Sequence, residues 1–243
     1  MEFTRDCLGD GVGEEGGGEG KGCVVSAIAN HTSRVRDREL EMWKRGQSLR
    51  FVLHFFGDVH MPLHVEGLGR GGNDIAVLFD DTHTNLHSVW DTLIPHKIVS
   101  LAAQIETRFG VDSGVRRDWD VKNETQAAYA WAEFLYARYG DDERIGEKVE
   151  DVCVHDAESC ALSWAREANA WVCKYVLRDG IDVLRDVDLG VEYFEGAVGV
   201  VEEMLVKGGR RLAKWLMVIA EELELEGLEG QGGWEKVVVE QEL

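Results

Sequence analysis

Apolar residues recur every three or four positions over long stretches of this chain, the spacing that lines one face of an α-helix. Helices are predicted over about 23 to 32, 37 to 59, 92 to 108, 122 to 139, 156 to 178 and 190 to 224. Only two prolines, Pro62 and Pro95, interrupt the sequence, so little in it breaks helices. The pattern changes between His64 and Asn85, where paired glycines and the alternating IAVLF predict a loop with a short hairpin. Residues 9 to 22, GDGVGEEGGGEGKG, carry too little apolar surface to fold alone and read as a flexible insert. Residues 226 to 243 read as a flexible tail, which leaves one mostly helical, all-α domain over residues 1 to 225. Trp90, Trp164, Trp171 and Trp215 fall at helical spacings and are expected in the core rather than on a base-stacking surface.

Charge narrows the chemistry. The chain carries 26 basic and 46 acidic residues, a formal charge of −20, which argues against a basic groove that neutralises many phosphates. Phosphate chemistry on such a chain needs metal ions to supply positive charge. No run of eighteen apolar residues reads as a membrane span, and Met1 opens onto EFTRDC rather than an apolar signal segment. Five cysteines, at 7, 23, 153, 160 and 173, form no C-x-x-C pair, and their odd number leaves at least one thiol without a partner in the chain. Asn30 and Asn123 each head an N-glycosylation acceptor triplet, a short pattern that often arises by chance. Cysteines and triplets lean towards a secreted protein.

The candidate chemistry lies in LHFFGDVHMPLH, residues 53 to 64. In a helix, His54 and Asp58 share a face one turn apart and can grip one ion. Pro62 cannot continue that helix, so the chain should turn near Val59 to Met61 and return His64 beside the helix end. NLHSVWDTLI repeats the device, with His87 and Asp91 flanking Trp90 at the start of another helical segment. Two imidazoles and a carboxylate make a zinc site with a position left open, and Asp58 sits where a second ion could share it. A single His and Asp pair at this spacing is more often a surface hydrogen bond. Two pairs with a histidine between them and apolar flanks tip the balance to metal, because charges in an apolar helix are costly unless paired or metal-bound.

LHFFGDVHMPLHVEG, RGGNDIAVLF and TNLHSVWDTLI together resemble the S1/P1 nucleases, secreted zinc-dependent fungal and plant enzymes related to bacterial zinc phospholipase C. The segments RDC, GCVVSAIANHTSRV, WAREANAWVC and GGRRLAKWL extend the resemblance over about residues 4 to 220. It implies a helical single domain with three zinc ions in a cleft. The implied activity is hydrolysis of single-stranded DNA or RNA, or of nucleotides, by metal-activated water, with 5′-phosphorylated products. On this resemblance His64, His87 and Asp91 make one complete zinc site. His54 and Asp58 belong to the other two, with Asp58 as the bridging, catalytic carboxylate. His60 is not assigned as a ligand and is expected as a hydrogen-bonded or packed histidine behind the ligands. Asn73 and Asn85 are expected to support the hairpin and the ligands, and His31, His83, His96 and His155 to lie at the surface. Cys7 and Cys23 resemble a family disulfide. The family partner of Cys173 would lie upstream and is absent, so Cys173 is expected as the free thiol unless Cys153 or Cys160 substitutes as its partner; those two could also pair with each other. A secreted monomer that engages no membrane is implied as well.

The resemblance also implies ligands upstream of RDC: a terminal tryptophan, two histidines and an aspartate. Residues 1 to 22 contain no histidine, and Asp6 and Asp10 stand in a different context. The sequence therefore reads as a member lacking its N-terminal portion, with one full zinc site and a binuclear site reduced to His54 and Asp58. A phospholipase C-like phosphodiesterase and a non-catalytic zinc-binding remnant are the alternatives. RGGN at 70 to 73 is weak evidence for a phosphate-cradling loop.

Overall fold

The computed structural model describes residues 23–109, 124–140 and 152–228. In chain order these form α1 (Val24–Arg36), α2 (Met42–Val59), a 3-10 turn (Pro62–Val65), β1 (Ala76–Phe79) and β2 (Thr82–Asn85). There follow α3 (Leu86–Ser88), a π-turn (Val89–Leu93), α4 (Ile94–Phe109), α5 (Glu124–Tyr139) and α6 (Val152–His155). The described chain ends with α7 (Ala157–Trp171), a second π-turn (Val172–Val176), α8 (Ile181–Asp186) and α9 (Glu192–Leu228). The architecture is all-α with one two-stranded sheet.

Each predicted helix is present, with shifted ends that have local causes. α2 starts at Met42 rather than 37 because the Asp37 carboxylate accepts the backbone N–H of Glu39 at 3.0 Å and makes a turn instead. The helix predicted from 92 begins at Leu86, since Asn85 Oδ1 accepts the backbone N–H of Ser88 at 2.8 Å and caps it there. Near the end of α9, Glu222 accepts a bond from Arg36 Nε at 2.7 Å and ties that helix to α1.

The core forms where α2, α7 and α9 meet. Phe56, Trp164 and Trp215 pack with ring centroids 5.1 to 5.5 Å apart, tilted or edge to face. Trp215 Nε1 donates to Thr32 Oγ1 at 3.2 Å, which ties in α1. Trp90 Nε1 donates to the Tyr193 hydroxyl at 2.8 Å, and that hydroxyl donates to the Val176 carbonyl at 3.0 Å. Trp90, Trp164 and Trp215 are thus core residues as expected, while Trp171 is half-buried beneath Lys174.

The hairpin pairs Ala76 with Asn85 through Phe79 with Thr82, and Val77 and Phe79 face inward. Its tip places Asp80 and Asp81 at φ of 49° and 58°, a region most side chains avoid. Asp188 compensates by accepting both of their backbone N–H groups, at 2.9 and 2.6 Å. Cys153 and Cys160 form a disulfide, and Cys173 is exposed and without one. Cys7, and with it the expected Cys7–Cys23 pair, lies outside the described residues, as do Asn123, the 9–22 insert and residues 229–243. Asn30 is exposed on α1, whereas Thr32 of its triplet is buried.

His60, 4% exposed at the end of α2, gives the fold a pH dependence. Burial, the largest influence, lowers its pKa from 6.5 to about 4. Between those values the unfolded chain binds a proton that the folded chain refuses, so stability is full above 6.5 and is lost as pH falls towards 4. The urea midpoint of the metal-free protein is expected to decline over that window, and more shallowly in His60→Asn.

Candidate metal centre

Two separate arms of the chain build the site, and the first is the end of α2. Its last turn places His54 Nε2 3.3 Å from Asp58 Oδ2, as four-residue spacing on a helix requires. The helix then tightens: Gly57 O accepts the backbone N–H of His60 at 3.1 Å, and Asp58 O accepts that of Met61 at 3.0 Å. Pro62 ends it, and Met61 O accepts the N–H of His64 at 3.1 Å, which folds the 3-10 turn back on α2. His64 Nδ1 thereby comes within 3.1 Å of Asp58 Oδ1, in the predicted place. The contact lacks hydrogen-bond alignment, so Nδ1 stays a buried polar atom with no hydrogen-bond partner.

The second arm starts at the hairpin. Asn85 caps α3, and two residues later His87 donates from Nδ1 to the Gly71 carbonyl at 2.8 Å. A carbonyl can only accept, so this bond assigns the proton to Nδ1 and leaves Nε2 as the ring nitrogen with a lone pair. Asp91 lies within the π-turn, a distortion often found at functional sites. Its Oδ1 is 3.6 Å from His64 Nε2, and the His64 and His87 rings are 5.0 Å apart.

One donor atom from each of His64, His87 and Asp91 lies within 4.8 Å of the other two, which makes them a metal-competent group. A tetrahedral zinc with bonds of about 2.1 Å would separate its donors by roughly 3.4 Å, so small side-chain rotations close the set. Imidazole, imidazole and carboxylate suit zinc, and the Gly71 carbonyl behind His87 is the usual partner of a ligating histidine. The residues present therefore fit such an ion. His54 and Asp58 stand beside this group and outside it.

Gly71 and Gly72, at φ of 64° and 83°, explain the RGGN segment without a phosphate. A Cβ on Gly71 would lie 2.5 Å from the Leu63 carbonyl oxygen and 3.6 Å from His87 Nδ1. A Cβ on Gly72 would lie 3.1 Å from the His87 backbone nitrogen. The glycines let the loop press against both arms, a positional role that two glycines in a sequence do not announce. Asn73 donates to Arg70 O at 2.8 Å and steadies this loop, and Asn85 caps α3; both act through backbone groups. His60 lies in the core, donating from Nδ1 to Phe56 O at 2.7 Å. His83, His96 and His155 are exposed as expected. His31 departs from the surface expectation: it is half-buried and stacked 4.5 Å from Phe51, because α2 turns Phe51 and Phe55 towards α1.

Hollows flank the pair of Asp58 and His64. One, of about 420 Å³, includes His54, Asp91, Trp90, Trp131 and Met204 in its walls. The other, of about 490 Å³, includes Cys23, Phe55, Arg70 and His87. Comparison with known proteins then places the chain. A family model described as S1/P1 Nuclease matches residues 8–221.

The chain belongs to the S1/P1 nuclease family.

It is similar to Nuclease P1 of Penicillium citrinum, 35% identical over 216 residues that cover 89% of this chain and 69% of the relative. It is 34% identical to Nuclease S1 of Aspergillus oryzae over 223 residues, 90% of this chain and 66% of the relative. Endonuclease 4 of Arabidopsis thaliana is 28% identical over 221 residues, 88% of this chain and 64% of the relative. No helix among the described residues is long and apolar enough to cross a membrane.

Gly71→Ala should disturb His87 before it disturbs the fold. Strain at positive φ together with the contact to Leu63 O is expected to cost about 1–3 kcal/mol. Denaturant titration would measure that loss, and calorimetric zinc titration should show weaker binding in the variant.

Proposed function

We propose that this chain is a zinc-dependent nuclease that hydrolyses phosphodiester bonds of single-stranded DNA or RNA and leaves 5′-phosphorylated products. The observation that carries the proposal is the convergence of His64, His87 and Asp91, from two arms of a chain that belongs to this family. His64 and His87 would each offer Nε2, and Asp91 its carboxylate. Asp58 would serve as a shared carboxylate for further ions, with His54 beside it. An ion bound here supplies positive charge to the phosphoryl oxygens and makes a water nucleophilic near neutral pH.

The protein's own groups orient and shield. Asp58 lies between His54 and His64, 3.3 and 3.1 Å from their rings. The Gly71 carbonyl fixes the tautomer of His87. Trp90, Trp131 and Met204 give the hollow of about 420 Å³ an apolar lining that would limit water around the reacting phosphate. A chain of charge −20 repels a polyanion, so substrate approach relies on the ions and is expected to weaken when they are removed.

The same proposal takes the protein as a secreted monomer with one catalytic domain over residues 1–225. The Cys153–Cys160 disulfide supports an oxidising compartment. A second reading is a zinc-binding chain without turnover. What favours it is that, among the described residues, His64, His87 and Asp91 make the one metal-competent group, and His54 and Asp58 stand outside it.

The test is hydrolysis of single-stranded against duplex DNA, and of phosphatidylcholine, with zinc present, after chelation, and after zinc is restored. Single-strand cleavage that follows zinc, and that falls more than about 100-fold in His64→Ala and Asp91→Asn, supports the nuclease. Zinc binding with no cleavage of any substrate supports the second reading. Cleavage of the lipid alone contradicts both.

A further inference from the structure

His54, Asp58 and His64 can act together only if the end of α2 keeps its place, and the groups that hold it meet at His60, which also touches the hollow of about 420 Å³. His60 commits both ring nitrogens to these groups. Nδ1 donates to the Phe56 carbonyl at 2.7 Å, and Nε2 accepts from Arg211 Nη1 at 2.9 Å. Arg211 turns Nη2 to Glu167 Oε2 at 2.7 Å and lays its guanidinium 5.3 Å from the Trp164 ring centroid. Lys207 pairs with the same Glu167 and, at 2.6 Å, with Glu203.

This is an unusual place for a cation. Arg211 is 2% exposed and His60 is 4% exposed, and a buried charge is costly unless its partners are fixed. Apolar side chains would fill the space at less cost, whereas a guanidinium fork also fixes direction. α9 is shaped to deliver it. A Cβ on Gly208 would lie 3.2 Å from the His60 ring, so glycine there permits close approach. Arg211 follows one turn later on the same face, and Trp215 a turn after that packs on Phe56. Gly208, Arg211 and Trp215 thus grip the last turn of α2 together.

We infer that Arg211, aligned by Glu167, is a positioning residue for the metal centre, acting through His60 on the turn that joins Asp58 to His64. The path is short and covalent at its far end. His60 also donates its backbone N–H to Gly57 O, and its neighbour Met61 bonds Asp58 O on one side and the N–H of His64 on the other. A shift of the His60 ring therefore moves both arms of the Asp58–His64 contact. This inference rests on the proposed metal centre for its purpose, but the positioning can be measured with no metal present.

The experiment uses the full chain and records the imidazole resonances of the metal-free protein by nuclear magnetic resonance, followed by zinc titration. In Arg211→Met, the His54 and His64 ring resonances are expected to shift and broaden while those of exposed His83 and His96 stay in place. Zinc affinity is expected to fall by about tenfold or more, with Arg211→Lys between this variant and the wild type. Should Arg211→Met not fold, Glu167→Gln carries the same test, since the Glu167 side chain is 30% exposed and its amide is tolerated; there the expected loss is about threefold. Unchanged His54 and His64 resonances with unchanged zinc affinity, beside a lowered melting temperature, would overturn the inference and leave Arg211 a residue of stability alone. A wild-type chain that binds no zinc would count against the metal centre, and the metal-free resonances would still decide the positioning.

Discussion

The nitrogen of Pro62 carries no hydrogen, and the whole site is arranged around that one fact. α2 has to end before Pro62, and the backbone bonds from His60 and Met61 close its last turn. The reversal that follows sets His64 against Asp58. Had α2 continued by one more turn, His64 would project from the helix and face neither Asp58 nor Asp91. The helix end thus converts a periodic sequence into a cluster.

A cluster from one arm alone would be a surface ion pair of small worth. The second arm changes its character. The loop of positive-φ residues from Gly69 to Gly72 brings a backbone carbonyl to His87, while the π-turn displaces Asp91 from the register of a regular helix. The Trp90 to Tyr193 bond holds the π-turn against α9, so the same core that carries the fold also aims a ligand. Defined elements supply each of the three donors, so an ion can be bound with only small side-chain rotations.

Much of this was legible in the chain. Periodic apolar residues marked the helices, alternation and glycines marked the hairpin, and the spacing around Pro62 placed His54, Asp58 and His64 correctly relative to one another. His87 and Asp91 are legible as a pair, but the π-turn that carries Asp91 is not: Trp90 within it bonds to a residue 103 positions away, and no local pattern announces that contact. The glycine pair says little in the sequence because its meaning lies in what faces it, the Leu63 carbonyl and the His87 ring. Arg211 and His60 meet across 151 residues, and no local pattern joins them. The pairing of Cys153 with Cys160 stayed open for a related reason, since cysteine spacing alone does not determine connectivity.

The central claim is that His64, His87 and Asp91 form a zinc centre, and anomalous diffraction at the zinc edge from crystals grown with zinc tests it most directly. A strong peak bonded to His64 Nε2, His87 Nε2 and the Asp91 carboxylate is expected, and it should disappear in His87→Ala. Zinc found only elsewhere on the chain, with these three side chains left as they stand, would contradict it.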